Sequence, residues 1–146
     1  IRRIVIDHDD ADDVLQNTFI KVFKNLDNFR EDSQLFTWIY RIATNESLSF
    51  LKKQRKNIFV SMDDVAHSLS GKLEADPQLS ADAIQLKLQQ AILKLPNKQR
   101  LVFNMKYFEE MKYEEMSEVL GTSVGALKAS YHHAVKKIEA DLKSQF

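Results

Sequence analysis

The amino-acid sequence predicts an all-α protein of two small helical domains, residues 1–56 and 81–146, joined by a flexible acidic linker over 57–80. Three observations carry this expectation. Apolar residues recur with the period of a helix nearly everywhere, and nothing sustained alternates with period two. Segment 57–80 loses that period and holds Gly71, Pro77 and several serines, the composition of a linker. Basic and acidic side chains number 10 and 9 over 1–56, 1 and 4 over 57–80, and 10 and 8 over 81–146, so a net charge of zero hides an acidic middle.

The elements follow in order. The chain begins without methionine inside an apolar pattern, Ile1, Ile4 and Val5, so a preceding N-terminal piece is expected and any helix count is a minimum. Val14, Leu15, Thr18, Phe19, Val22, Phe23 and Leu26 keep the rhythm of an amphipathic helix, preceded by the aspartate-rich run "DHDDADD". A second helix is expected from about Ser33 or Gln34 to Gln54. At about 100° per residue its core face is Phe36, Ile39, Tyr40, Ala43, Ser47, Phe50 and Leu51. The reverse arc holds Trp38, Arg41, Asn45, Ser49, Lys52 and Lys56. In the linker one weak helical turn is expected near Met62 to Ser68. Helical spacing returns at Ile84, Leu88, Ala91, Ile92 and Leu95; Pro96 ends that helix, and Asn97 is placed to cap the next, through Leu101, Val102, Met105 and Phe108. Two more helices meet at Gly121. Each domain lies in the size range where a lone core is marginal, so stability is expected to lean on a partner or on the missing N-terminal helix.

Composition removes several function classes. There is no cysteine, which excludes disulfides and thiolate chemistry and fits a reducing, cytoplasmic setting. Three glycines leave no material for a phosphate-cradling glycine loop. No apolar run approaches the roughly 20 residues that cross a bilayer, so no membrane insertion is expected. No nucleophile, base and orienting group occur together, and no metal-ligand spacing stands out; no enzyme and no cofactor are expected.

The most specific signal is "YEEMSEVLGTSVGALKASYHHAVKKI". A helix meets Gly121, which supplies positive φ, and a second helix starts where Ser123 can cap it: the form of a helix-turn-helix. Val124, Leu127, Tyr131, Ala134, Val135 and Ile138 share its core face. The opposite arc presents Gly125, Ala126, Ala129, Ser130, His132, His133, Lys136 and Lys137, and residues 121–137 carry Lys128 but no acid. Small residues permit close approach to base edges in a major groove, and lysines neutralise phosphates. A plain helical hairpin with solvated lysines is the alternative. His132 and His133 are adjacent and diverge by about 100°, which disfavours joint metal ligation. On the second helix, Trp38 is the only large apolar group centred on a polar, basic strip. A neighbouring helix could cover it; left uncovered, it is a stacking surface flanked by cations, with the Asn45 amide one turn beyond Arg41 to meet a base edge.

The runs "DADDVLQNTFIKVFKNLDNFREDSQLFTWIYRIATNESLSFLKKQRK" and "LPNKQRLVFNMKYFEEMKYEEMSEVLGTSVGALKASYHHAVKKI" resemble, in that order, regions two and four of bacterial sigma factors of the extracytoplasmic-function group. The resemblance implies a region-two helical bundle and a region-four helix-turn-helix domain in a transcription initiation factor that binds core RNA polymerase and promoter DNA. It implies docking on the arginine-rich clamp helices of the beta-prime subunit through Asp12, Asp13, Gln16, Asn17 and Phe19, and a contact of region four with the beta flap. It places the loop from Phe29 to Gln34, with Trp38, Arg41, Asn45, Ser49, Lys52 and Lys56, at the minus-ten element. It places Ser123, Gly125, Ala126, Lys128, Ala129, Ser130, His132, His133 and Lys136 at the minus-thirty-five element. Asp63, Asp64, Glu74 and Asp76 of the linker would run toward the RNA exit path, and an anti-sigma factor is an implied partner.

The chain departs from the family pattern at several positions. Asn17 stands where a glutamate is common, which removes one charge from the polymerase contact. Lys112 stands where a capping serine or threonine is usual, so a less firm helix start is expected. Ala126, Ala129, Ser130 and His133 replace threonine, serine and arginines, which weakens bidentate guanine recognition and leaves the promoter preference open. Two rival classes remain: a helix-turn-helix regulator that is not a sigma factor, and a helical adaptor with protein partners only. The regulator has no use for an acidic docking helix at the other end of the chain, nor the adaptor for an acid-free reading helix.

Overall fold

The computed structural model describes residues 1–57, 70–72 and 82–145. The turn expected near Met62 to Ser68 and the linker acids Asp63, Asp64, Glu74 and Asp76 lie outside the described residues. Among those described, all regular structure is helical. The first lobe holds α1 (Arg2–Val5), α2 (His8–Lys24), a 3-10 turn (Leu26–Asn28) and α3 (Leu35–Asn57). The second holds α4 (Ala83–Leu93), α5 (Asn97–Phe103) running into a π turn (Asn104–Phe108), α6 (Tyr113–Leu120) and α7 (Val124–Ser144).

Local chemistry explains the helix starts. The Asp7 carboxylate accepts the Asp10 N–H at 3.1 Å, and Asp9 and Asp10 add negative charge where the α2 dipole is positive. The Asp82 carboxylate does the same for α4, accepting from Ile84 N–H at 2.9 Å. At α5 the expected Asn97 cap is absent: Pro96 holds the extended cap position, and Asn97 Oδ1 instead accepts from Arg100 Nη2 at 3.3 Å. The α1 end is strained. Ile6 has φ 72°, a region that disfavours β-branched residues by roughly 1–3 kcal/mol, and its buried side chain packs with Leu93 of the other lobe.

The second lobe has an ample core of its own. Ala91, Ile92, Leu95, Phe103, Ala134 and Ile138 form one cluster, and Val102, Met105, Met111, Met116, Val119 and Leu127 another. In the first lobe α2 buries only Ala11, Val14, Thr18 and Val22, while α3 buries Thr37, Thr44 and Ser47. Large side chains of α2 stay outside: Leu15, Phe19 and Phe23 are exposed, as is Leu26 just after the helix. The lobes are not held apart. Ile4, Val5 and Val14 share a cluster with Leu101 of α5, and α3 packs along α6. The marginal first lobe thus completes its core with residues of the second.

One expected core residue is a correction. Phe36 is 57% exposed, because the buried face of α3 is centred on Thr37, Thr44 and Ser47 rather than on Phe36. Hydroxyl residues line this helix contact mostly by bonding back to their own helix: Ser47 Oγ donates to the Ala43 carbonyl at 2.8 Å and Thr18 Oγ1 to the Val14 carbonyl at 2.7 Å, whereas Thr44 Oγ1 has no partner among the described residues. A count of apolar residues alone therefore turns the face by about 60°.

Candidate nucleic-acid and protein interfaces

The basic strip of α3 is on the surface. Arg41, Asn45, Ser49 and Lys52 are all exposed, and successive turns of the helix stack them along one side. The side chain of Lys56 lies outside the described set. Trp38 is half-buried: its ring sits 5.1 Å from that of Phe29, tilted by 49°. The indole lines an open cleft of about 290 Å³ with Asn28, Arg30, Asp32, Ser33, Arg41 and Glu118. All but Glu118 come from the first lobe; Glu118 projects from α6. An aromatic face beside two guanidinium groups provides a stacking platform and donors for a phosphate, while the Asp32 and Glu118 carboxylates of the same cleft offset the arginine charge.

The lobe junction along α3 runs from Tyr40 to Leu51, which lies on the cluster shared with Leu101. Tyr40 packs against the second-lobe cluster that holds Val102, Met105, Met116 and Leu127. Burial, with a smaller contribution from the Glu109 charge, pushes the Tyr40 phenol up to about 12. Phe36, one turn earlier, is exposed with its ring 5.7 Å from that of Tyr40.

Asp12, Asp13, Gln16, Asn17 and Phe19 are all exposed on α2. At about 100° per residue, Asp12, Gln16, Phe19 and Phe23 share one side and Asp13 and Asn17 flank it. The result is an apolar strip edged with carboxylates. Lys21 pairs with Glu46 and joins the back of this helix to α3. Near the start of α2, Lys72 donates to Asp7 at 2.8 Å. That bond, together with the Asp10 N–H, holds the Asp7 carboxyl below its ordinary range.

The helix-turn-helix has the expected local chemistry. Gly121 ends α6 with φ 64°, ψ 31°, and Ser123 Oγ accepts the Ala126 N–H at 3.3 Å to start α7. Lys112 stands at the α6 cap, where an ammonium has no acceptor to offer; the Glu115 carboxylate accepts the Lys112 backbone N–H at 2.9 Å and secures half of the box. On α7, Leu127, Ala134 and Ile138 are buried, and Tyr131 stacks on Phe103 at 5.9 Å, which fixes the rotation of the helix. Ser123, Gly125, Ala126, Lys128, Ala129, His132, His133, Lys136 and Lys137 are exposed, and Ser130 is half-buried. The two histidine rings meet edge to face at 6.0 Å. Among the described residues, no group of three or more histidines or carboxylates is arranged to hold a metal.

Sequence reasoning brought Trp38, Arg41 and Asn45 together correctly as one side of α3. It did not single out Arg30 within the loop, and it missed Glu118 altogether, since nothing local ties an acid on α6 to a tryptophan on α3.

Comparison with known proteins gives consistent matches. The family described as "Sigma-70 region 2" matches residues 1–57, and "Sigma-70, region 4" matches residues 85–138. The ECF RNA polymerase sigma factor SigW of Bacillus subtilis is 32% identical over 142 residues, covering 92% of this chain and 76% of that protein. The RNA polymerase sigma-H factor of Pseudomonas aeruginosa is 30% identical, covering 98% and 78%. Among solved structures, the sigma factor RpoE in complex with the anti-sigma factor NepR, from Bartonella quintana, aligns with TM-score 0.77 at 21% identity, over 97% of this chain and 86% of that one. CnrH in complex with the cytosolic domain of CnrY aligns with TM-score 0.70 at 24% identity, over 99% and 79%. At these identities the two structures attest the fold.

Proposed function

The chain belongs to the extracytoplasmic-function group of RNA polymerase sigma factors, and from that premise we propose that it docks on core polymerase, engages promoter DNA at the minus-ten and minus-thirty-five elements, and helps to open the duplex. It is a transcription initiation factor. Its relatives are named sigma factors, a class that directs polymerase without catalysing a reaction, and we read this chain in the same way, working in the cytoplasm.

Each surface has a task in this reading. The strip of α2, Asp12, Asp13, Gln16, Asn17 and Phe19 together with Leu15 and Phe23, meets an arginine-rich, partly apolar helix pair on polymerase; charge complementarity there speeds encounter and sets register more than it adds affinity. At the minus-ten element, extruding a base from the stack costs a few kcal/mol. Stacking on an aromatic side chain returns about 1–3 kcal/mol per base, so Trp38 can offset much of that loss, with Arg30 and Arg41 on the phosphates and Asn45 at a base edge. Ser49, Lys52 and Lys56 extend the backbone contact. On α7, Gly125, Ala126, Ala129 and Ser130 allow close approach to the major groove, Ser123 lies at the helix start, and Lys128, His132, His133 and Lys136 face phosphates and bases.

The observation that carries the reading is that one chain exposes both a tryptophan-bearing basic strip on α3 and a lysine-bearing recognition helix, α7, as members of its family are expected to. Run-off transcription from genomic templates with purified core polymerase tests it. Promoter-specific transcripts should appear only when the chain is added; their absence from every template sinks the reading. RpoE and CnrH were each solved with a bound anti-sigma or cytosolic partner domain, and we propose a comparable inhibitor for this chain, which co-purification from the native host in different growth states would reveal.

A further inference from the structure

Two titratable side chains on α7 are given no work by the fold. His132 and His133 are exposed, and their rings meet only each other, edge to face at 6.0 Å. Among the described residues neither ring has an ion pair or a side-chain hydrogen bond. At about 100° per residue the outward line of α7 runs through Gly125, Ala129 and Lys136, with His132 about 40° to one side of it and His133 about 60° to the other. Buried Leu127, Ala134 and Ile138 fix that line, as does Tyr131 on Phe103. A helix lying in a major groove about 12 Å wide has a phosphate backbone on each flank, so each imidazole faces a different strand. We propose that α7 binds promoter DNA in a proton-linked manner: protonated His132 and His133 act as two further phosphate contacts, one on each wall of the groove, and the neutral rings do not. The proposal rests on the reading of α7 as the minus-thirty-five helix.

Arginine is charged at every physiological pH, whereas histidine gains and loses its charge within that range. A neutral imidazole offers one N–H and no charge; an imidazolium offers two N–H groups and a charge. It therefore makes a charge-assisted bond to a phosphate and releases a counterion, as a lysine does. On α7 the charges within one turn are all cationic: Lys128 before and Lys136 after His132, and Lys137 after His133. The nearest acid on that side is Glu139, two turns beyond His132. Helices α4, α5 and α6 pack on the opposite face of α7, through Leu127, Ala134 and Ile138. Their charges have other settings. Lys94 of α4 pairs with Asp141, Arg100 of α5 is buried beside Asn97, and Glu115 of α6 bonds the Lys112 N–H. Lys106 of the π turn lies over the Tyr113 ring. Lys87 of α4, Lys98 of α5, and Glu114 and Glu118 of α6 likewise make no pair with either imidazole. Two neutral rings tolerate a 6.0 Å spacing; two imidazolium rings repel each other and swing apart, toward the two walls. Binding thus takes up protons, so affinity is highest on the acid side and is lost as pH rises through the histidine range.

Holoenzyme assembled from core polymerase and the full chain tests this on a labelled promoter duplex recovered by run-off transcription, kept cold so that the strands stay paired. Fluorescence anisotropy gives the binding constant as a function of salt at pH about 5.8 and about 7.8, on either side of the histidine range. Each phosphate contact adds about 0.9 to the slope of log affinity against log salt. On acidification the parent slope should steepen by about 1–2 beyond any change in a chain carrying His132→Gln with His133→Gln. At fixed salt the parent should gain at least about fivefold in affinity over that variant. A chain carrying His132→Arg with His133→Arg should keep the steep slope at both pH values. A parent slope that does not respond to pH overturns the proposal, and so does one that changes equally in the glutamine and arginine variants, because other groups then titrate. Parent binding that survives scrambling of the minus-thirty-five element removes the reading of α7 instead, so the two failures are told apart.

Discussion

The Arg3 guanidinium lies 3.6 Å above the centre of the Phe108 ring, clipping the first helix of one lobe to the π turn of the other. The Arg3 carbonyl lies 3.5 Å from the Asn104 amide that donates to it, so the same short helix is held twice. A cation over an aromatic face is worth about 0.5–2 kcal/mol depending on its exposure. Arg3→Ala should therefore lower the unfolding midpoint by about 2–4 °C, measured by calorimetry, and Phe108→Leu, which removes the ring and leaves the charge, should abolish the effect of the Arg3 substitution if the ring contact is responsible.

Neighbouring aromatics on α3 separate cleanly. Phe36 is exposed and Tyr40 is seated against the second-lobe core. Tyr40→Ala should destabilise by about 2–4 kcal/mol, toward the cost of a buried aromatic truncation, and Phe36→Ala by less than about 1 kcal/mol. Chemical denaturation of the two variants distinguishes them, and equal losses would contradict the assignment of faces.

Trp38→Ala acts on function. Loss of one stacked base at about 1–3 kcal/mol corresponds to roughly 5-fold to 150-fold weaker open-complex formation, with the midpoint of thermal unfolding little changed because the indole is only half-buried. Permanganate footprinting of the melted strand measures the first quantity, and retained melting in the variant would remove Trp38 from the proposed site.

Tyr40 also gives the protein an alkaline signature. Its phenol is raised from 10 to about 12 in the fold, so the neutral form is favoured by folding. The stability this contributes is whole below the unfolded value and is lost as pH rises through the folded one. Stability should thus fall between pH about 10 and 12, and Tyr40→Phe should flatten that fall. The chain has four tyrosines; burial holds both Tyr40 and Tyr131 above the ordinary range, and of the late phenolate absorbance of the parent the Tyr40 step should be missing from the variant.

Thr44 is a site for improvement. It is 1% exposed, and its Oγ1 has no hydrogen-bond partner among the described residues. An unpaired buried hydroxyl costs about 1–3 kcal/mol, and valine keeps the shape without the polar atom. Thr44→Val should stabilise by about 1 kcal/mol in denaturant titration; a loss of stability would mean that the hydroxyl has a partner after all.

How much was readable in advance follows from the kind of residue involved. The core face of α7 was legible because Leu127, Ala134 and Ile138 repeat a large apolar signal at helical spacing, and the turn because Gly121 and Ser123 do chemistry within four residues of each other. The exposed side of α3 was legible for the same local reason. Its buried side was not, because Thr37, Thr44 and Ser47 satisfy a close helix contact without looking apolar. Contacts between lobes left no local mark at all: Glu118 reaches the Trp38 cleft, and Leu101 reaches Val14, across most of the chain. Periodicity reports which way a helix faces, not which distant element it meets.

The shared cluster of Ile4, Val5, Val14 and Leu101 has a consequence for synthesis on the ribosome. Domains usually fold as they emerge, but here α1 and α2 lack part of their cover until residues about a hundred positions later leave the exit tunnel, as the 101-residue separation of Arg3 and Asn104 makes plain. Contacts of such long range slow folding. While those residues are being made, α1, α2 and α3 stay incompletely covered, a window in which chaperones and proteases compete for them and in which the cell can set how much of this factor ever matures.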